Sequence, residues 1–179
     1  MNVQPPTRTD KVDDTAATLA RWLLGALFIY MGLSKAVFHD PADFLKLVRQ
    51  YEMVGNPYLL NSIAAALPWF EVFCGLLLLT GVAVRGAALA ILVMLLFFTP
   101  LVARQGMAIA AAKGIPFCAV RFNCGCGAGE VNVCGKIVEN SACSLLSLWL
   151  VFRSRANFCA RFALFKPAPL PALPAGEHV

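Results

Sequence analysis

Residues 59–84 contain one charged side chain, Glu71, and residues 87–103 contain none. A helix crossing a bilayer core needs roughly 20 apolar residues, so uninterrupted runs of this length restrict the chain to membrane-spanning or deeply buried helix. The rest of the composition decides between the two. Of 179 residues 59% are hydrophobic and 14% charged, with a mean hydropathy of +0.71, which lies outside the range of soluble domains. The expectation is an all-α integral membrane four-helix bundle with spans near 19–38, 59–84, 87–112 and 138–157 inside one domain, 19–165. A secretory signal is the competing reading of the first run. It is disfavoured because Asp10, Asp13 and Asp14 precede the run and Met31-Gly32-Leu33-Ser34-Lys35 is a poor cleavage site.

The connecting segments are short. Residues 1–18 are polar around Pro5-Pro6 and read as a disordered tail; residues 166–179 are proline-rich and read as an extended one. After Asp40-Pro41, the residues Phe44, Leu45, Leu47, Val48 and Tyr51 recur at helical spacing opposite Asp43, Lys46, Arg49 and Glu52. This pattern predicts a short amphipathic helix between helices 1 and 2, lying in the bilayer interface. The formal charge of +5 does not point to nucleic acid, because the Lys and Arg residues stand singly at segment ends, as interface anchors do. Their totals nearly balance between the two sides. The compact set Arg153, Arg155, Arg161 and Lys166 favours cytoplasmic termini in a bacterial inner membrane, with the loop before the last span facing outward.

That loop carries the chemistry. Cys118, Cys124, Cys126 and Cys134 fall within one short connection, in a compartment where disulfides persist. Glycines flank Cys124 and Cys126 and offer backbone N–H donors, and Arg121 stands three residues upstream, so a thiolate there is favoured. A bond between Cys124 and Cys126 is strained by their closeness in sequence, hence oxidising and exchangeable. Cys118 and Cys134 form the more stable, structural pair on this reading, with the glycine-flanked thiols better exposed. Two alternatives stay open: a loop held by permanent bridges, and a soft-metal site for copper(I) or mercury(II), although no histidine lies near it. Cys74, Cys143 and Cys159 sit in or beside apolar helix and read as small hydrophobes, with Cys143 alone placed to approach the loop.

Glu71 lies about twelve residues into the second span, near mid-bilayer, where a lone carboxylate is costly and so must be neutral or paired. Lys35, at the end of the first span, has the reach to be its partner. Together they frame a proton or quinone site, with Pro68-Trp69-Phe70 as its aromatic wall; a purely structural interhelical contact is the alternative. His39 and His178 are isolated and suggest no catalysis.

In order along the chain, Arg21, Gly32-Leu33-Ser34-Lys35, Leu67-Pro68-Trp69-Phe70-Glu71, Gly75 to Gly81 and Arg85 resemble the DoxX superfamily of four-helix membrane proteins. Cys124-Gly125-Cys126-Gly127 and Glu139-Asn140 are more similar to its methylamine-utilisation MauE-like branch, although Gly127 stands where that branch usually has an aromatic. The resemblance covers roughly residues 20–153. It implies a membrane partner of thiol-redox maturation, or of a sulfur or quinone pathway, working with a thioredoxin-like or periplasmic redox protein. A non-enzymatic scaffold subunit is the competing class.

Overall fold

The computed structural model describes residues 8–38, 45, 49, 56–125 and 129–153. Four long helices dominate them: α1, Arg8–Leu33; α2, Pro57–Thr80; α3, Val84–Lys113; and α4, Val133–Arg153. α1 runs on into a π-helical turn, Ser34–Phe38. Three segments, Thr15–Val37, Pro57–Thr80 and Val84–Lys113, are long and apolar enough to cross a membrane. α4 is more polar, and it begins at Val133, earlier than the fourth span was expected. The first helix likewise starts at Arg8, inside the stretch 1–18 expected to be a tail. The amphipathic helix between helices 1 and 2 lies outside the described residues, apart from Leu45 and Arg49, which are helical. The proline-rich end also lies outside them.

The all-α expectation needs one correction. The loop between α3 and α4 folds into a 3-10 turn, Phe117–Ala119, and a two-stranded antiparallel sheet of β1, Arg121–Asn123, and β2, Glu130–Asn132. Phe122 faces Val131 across the pair, and Val133 N–H donates to Val120 O at 3.1 Å, so the hairpin leads straight into α4. Gly106 of α3 makes room for it. A Cβ there would lie 2.8 Å from a Val133 methyl and 3.0 Å from the Phe117 ring.

The apolar residues divide between an interior and an outer surface. Leu24, Phe28, Cys74, Leu78, Ala88, Ile91 and Leu150 form the interior. Trp22, Leu23, Tyr30, Trp69, Phe73, Leu96 and Phe97 are exposed around it, the arrangement a bundle solvated by lipid requires. α1 packs chiefly on α2, and α3 on α4. The first pair meets through glycines: a Cβ on Gly75 would lie 2.7 Å from Gly25 O, and one on Gly32 would lie 2.5 Å from Pro68 O. Both obstacles are backbone and cannot swing aside. Gly32→Ala should therefore force α1 and α2 apart at a cost of about 1–3 kcal/mol. In detergent this should show as a lower unfolding temperature. Gly86→Ala, at a helical position with nothing within 4 Å, is the control and should be neutral or slightly stabilising.

Candidate functional site

The glycine contacts set the level at which buried polar groups meet. Gly32 lies against Pro68, so residues 28–35 of α1 and its π-turn run beside residues 65–72 of the antiparallel α2. Helical side chains lean toward their own N-terminus, so Lys35 and Glu71 tilt toward each other from opposite sides of that contact. Lys35 Nζ donates to both Glu71 carboxylate oxygens, at 2.5 and 2.6 Å, and both side chains are 5% exposed. The two residues continue the buried stripes of their helices, Arg21, Leu24, Phe28 and Lys35 on one and Ala64, Pro68, Glu71 and Leu78 on the other. The chain tolerates these charges inside because each is matched by the other.

A cavity of about 40 Å³ adjoins the pair and is lined by Phe28, Met31, Lys35, Glu71, Phe98, Val102, Cys124, Lys136 and Asn140, among others. One buried water needs roughly 10–15 Å³, whereas a benzene ring has been seen to occupy a cavity of about 150 Å³. As it stands the space suits a few waters and is too small for a quinone ring. The aromatic wall is Phe28 and Phe98. Trp69 and Phe70, expected to supply it, point outward and are 58% and 44% exposed.

Two residues of this cavity, Lys136 and Asn140, were not singled out as site residues by the sequence. Lys136 read as an interface anchor, but its side chain is 3% exposed and donates at 2.8 Å to Glu139, whose side chain is 44% exposed. Arg21, placed in the same class, is also buried. On α4 the residues Lys136, Asn140 and Ser147 fall on one buried face at helical spacing. That polar periodicity inside an apolar helix was the available signal. Asn132 starts the helix by accepting from Gly135 N–H at 3.1 Å, which places Lys136 in the first turn directly under the hairpin.

The loop cysteines are not equivalent. Cys118 and Cys134 are joined in a disulfide with their Cα atoms 5.1 Å apart, closing the base of the hairpin. Cys124 is also disulfide-bonded; the other half of that bond lies outside the described residues, as do Cys126 and Cys159. For Cys124 the expected exposure is reversed. Cys118 is exposed, whereas Cys124 is 2% exposed and packs with Val102, Val120, Phe122 and Val133. Strand alternation explains this: Phe122 and Cys124 point inward while Arg121 and Asn123 point out, so Arg121 is not the cation beside Cys124. Asn123 Oδ1 accepts from Gly125 N–H at 3.0 Å, and Gly125 has φ 75°, a turn that bends the chain immediately after Cys124. Cys74 and Cys143 are free thiols, and Cys143 packs against the apolar core instead of lining the cavity. Among the described residues no group of three or more His, Cys, Asp or Glu is placed to hold a metal ion.

These features define a helical membrane protein in which a buried, disulfide-bonded cysteine adjoins a pocket holding charged side chains. The family model of methylamine utilisation protein MauE matches residues 13–153, and the chain belongs to that family. No curated protein and no solved structure matches it.

Proposed function

We propose that the protein is the membrane-embedded partner in thiol–disulfide exchange, serving the maturation of a periplasmic redox enzyme in methylamine utilisation. One observation carries the reading: Cys124, one half of a disulfide, lines a cavity that also holds three charged side chains inside a largely apolar bundle. A permanent staple needs no buried charges beneath it. In this reading all four helices cross the inner membrane as a DoxX-like bundle, the termini are cytoplasmic, and the hairpin meets a thioredoxin-like protein outside. The other half of the Cys124 bond is assigned to Cys126.

The exchange balances within the two proteins. A thiolate of the partner's dithiol bonds to the outer sulfur, the bond to Cys124 Sγ breaks, and Cys124 leaves with the electron pair. The partner's second thiolate then attacks the mixed disulfide and frees the outer sulfur. The partner gains a disulfide and the loop gains two thiols; the same steps run in reverse. Cys118–Cys134 stays closed and holds the hairpin. Lys35 and Glu71 act as the site's proton-handling groups, through water in the cavity. A lipid-soluble quinone as the oxidant that restores the disulfide would have to dock outside the cavity or widen it.

Stepwise reduction of the folded protein with a small dithiol, followed by acid trapping, alkylation and mass spectrometry, tests this. Cys124 should become alkylated under native conditions, at a lower reductant concentration than Cys134. If every loop cysteine resists the dithiol until the protein is unfolded, the loop is a staple and the scaffold class takes its place.

A further inference from the structure

Resting on the exchange reading, we propose that Lys136 is a positioning residue that serves as counter-ion to Cys124 when that sulfur leaves as a thiolate. Its first support is a charge count around the cavity. The wall contributed by α3, with Met94, Leu95, Phe98 and Val102, is apolar, and the charged side chains on the other walls are Lys35, Glu71 and Lys136. Lys35 and Glu71 neutralise each other through two short contacts. Lys136 is left over, and its anion, Glu139, sits at the solvent-exposed rim. The cavity lining therefore carries one positive charge whose balance lies outside it, and one anion added in the cavity completes the set. Breaking the Cys124 bond creates that anion at the cavity wall.

Asn140 adds a neutral polar group to the same wall. It is 5% exposed and lines the same cavity one turn along α4. A sulfur anion accepts hydrogen bonds from an amide and an ammonium, and the same cavity wall offers Cys124 both, from Asn140 and Lys136. Lys136 then changes partners: Glu139 is released to solvent at little cost, and the ammonium turns to sulfur.

The test is the pH dependence of the Cys124 thiolate in the full-length protein in lipid nanodiscs, reduced only far enough to open the Cys124 bond while Cys118–Cys134 stays closed, followed as the Cys124 alkylation rate by mass spectrometry. An adjacent cation stabilises a thiolate by about one to three pH units. Lys136→Met should move the Cys124 midpoint up by that amount and slow its alkylation at neutral pH by about tenfold or more. Lys136→Arg should stay close to the parent protein. Glu139→Gln keeps a half-exposed polar side chain, so folding is preserved, but it removes the competing anion; it should move the Cys124 midpoint down. An unmoved midpoint in Glu139→Gln, or in a folded Lys136→Met protein, overturns the inference while leaving exchange intact. If the dithiol cannot open the Cys124 bond in the folded parent protein, the exchange reading falls and the inference falls with it.

Discussion

Glu71→Leu should remove most of the protein from the membrane, and so should Lys35→Met, whereas the double variant should recover much of it. Each single change leaves one buried charge without its partner, and breaking a buried pair in this way costs about 3–5 kcal/mol. Replacing both partners with apolar side chains of similar size leaves no charge to desolvate, which is often neutral. Membrane abundance of the four proteins, measured by immunoblot with a control for expression, forms the cycle. If the double variant is as depleted as the sum of the two losses, the pair does not act as a unit. The same variants separate packing from chemistry. On the proton-handling proposal the recovered double variant is folded but exchanges slowly, and Glu71→Gln behaves likewise, because an amide hydrogen-bonds without titrating. Exchange at the parent rate in both would reduce Lys35 and Glu71 to a packing contact.

The helices were legible in the sequence because bilayer thickness imposes a length that composition reveals directly. The expected runs 59–84 and 87–112 meet the observed Pro57–Thr80 and Val84–Lys113 to within a few residues. Glu71 and Lys35 stood out for a related reason: a charge inside an apolar run has few acceptable environments. The loop was harder. Its strands are three residues each, too short for a period of two to register, so a sequence rich in glycine and cysteine suggested exposure. The pairing of Phe122 with Val131 reversed that by turning Cys124 inward. Lys136 was hidden by its place near the start of a helix, where a basic residue normally marks the interface. Only the packing of α4 against α3, with the hairpin folded over the top, makes the same position an interior one.

Opening the base of that hairpin should have the second large effect. Cys118 and Cys134 are 16 residues apart, and closing a loop of that size is worth about 3 kcal/mol in chain entropy. The rest of the tie is slight: three residue pairs between the strands, Val133 N–H to Val120 O, and a hydrogen bond from the Asn132 side chain to Cys118 O. A two-stranded ribbon is marginal by itself. With Cys118→Ser and Cys134→Ser combined, α1, α2 and α3 should remain inserted, since none of their contacts depends on the bond. The hairpin should open locally and lift Phe122 and Cys124 off Val102. Cys124 should then react with a membrane-impermeant maleimide, after reduction, at least tenfold faster than in a reduced parent protein with Cys118–Cys134 intact, ~1.4 kcal/mol of local opening or more. Charge compensation by Lys136 requires the opposite, a sulfur held against the cavity, so the Cys124 pH profile should also drift toward that of an ordinary thiol. An equally protected Cys124 in the double variant would show that the apolar cluster of Val102, Val120, Phe122 and Val133 seats the hairpin without its clasp.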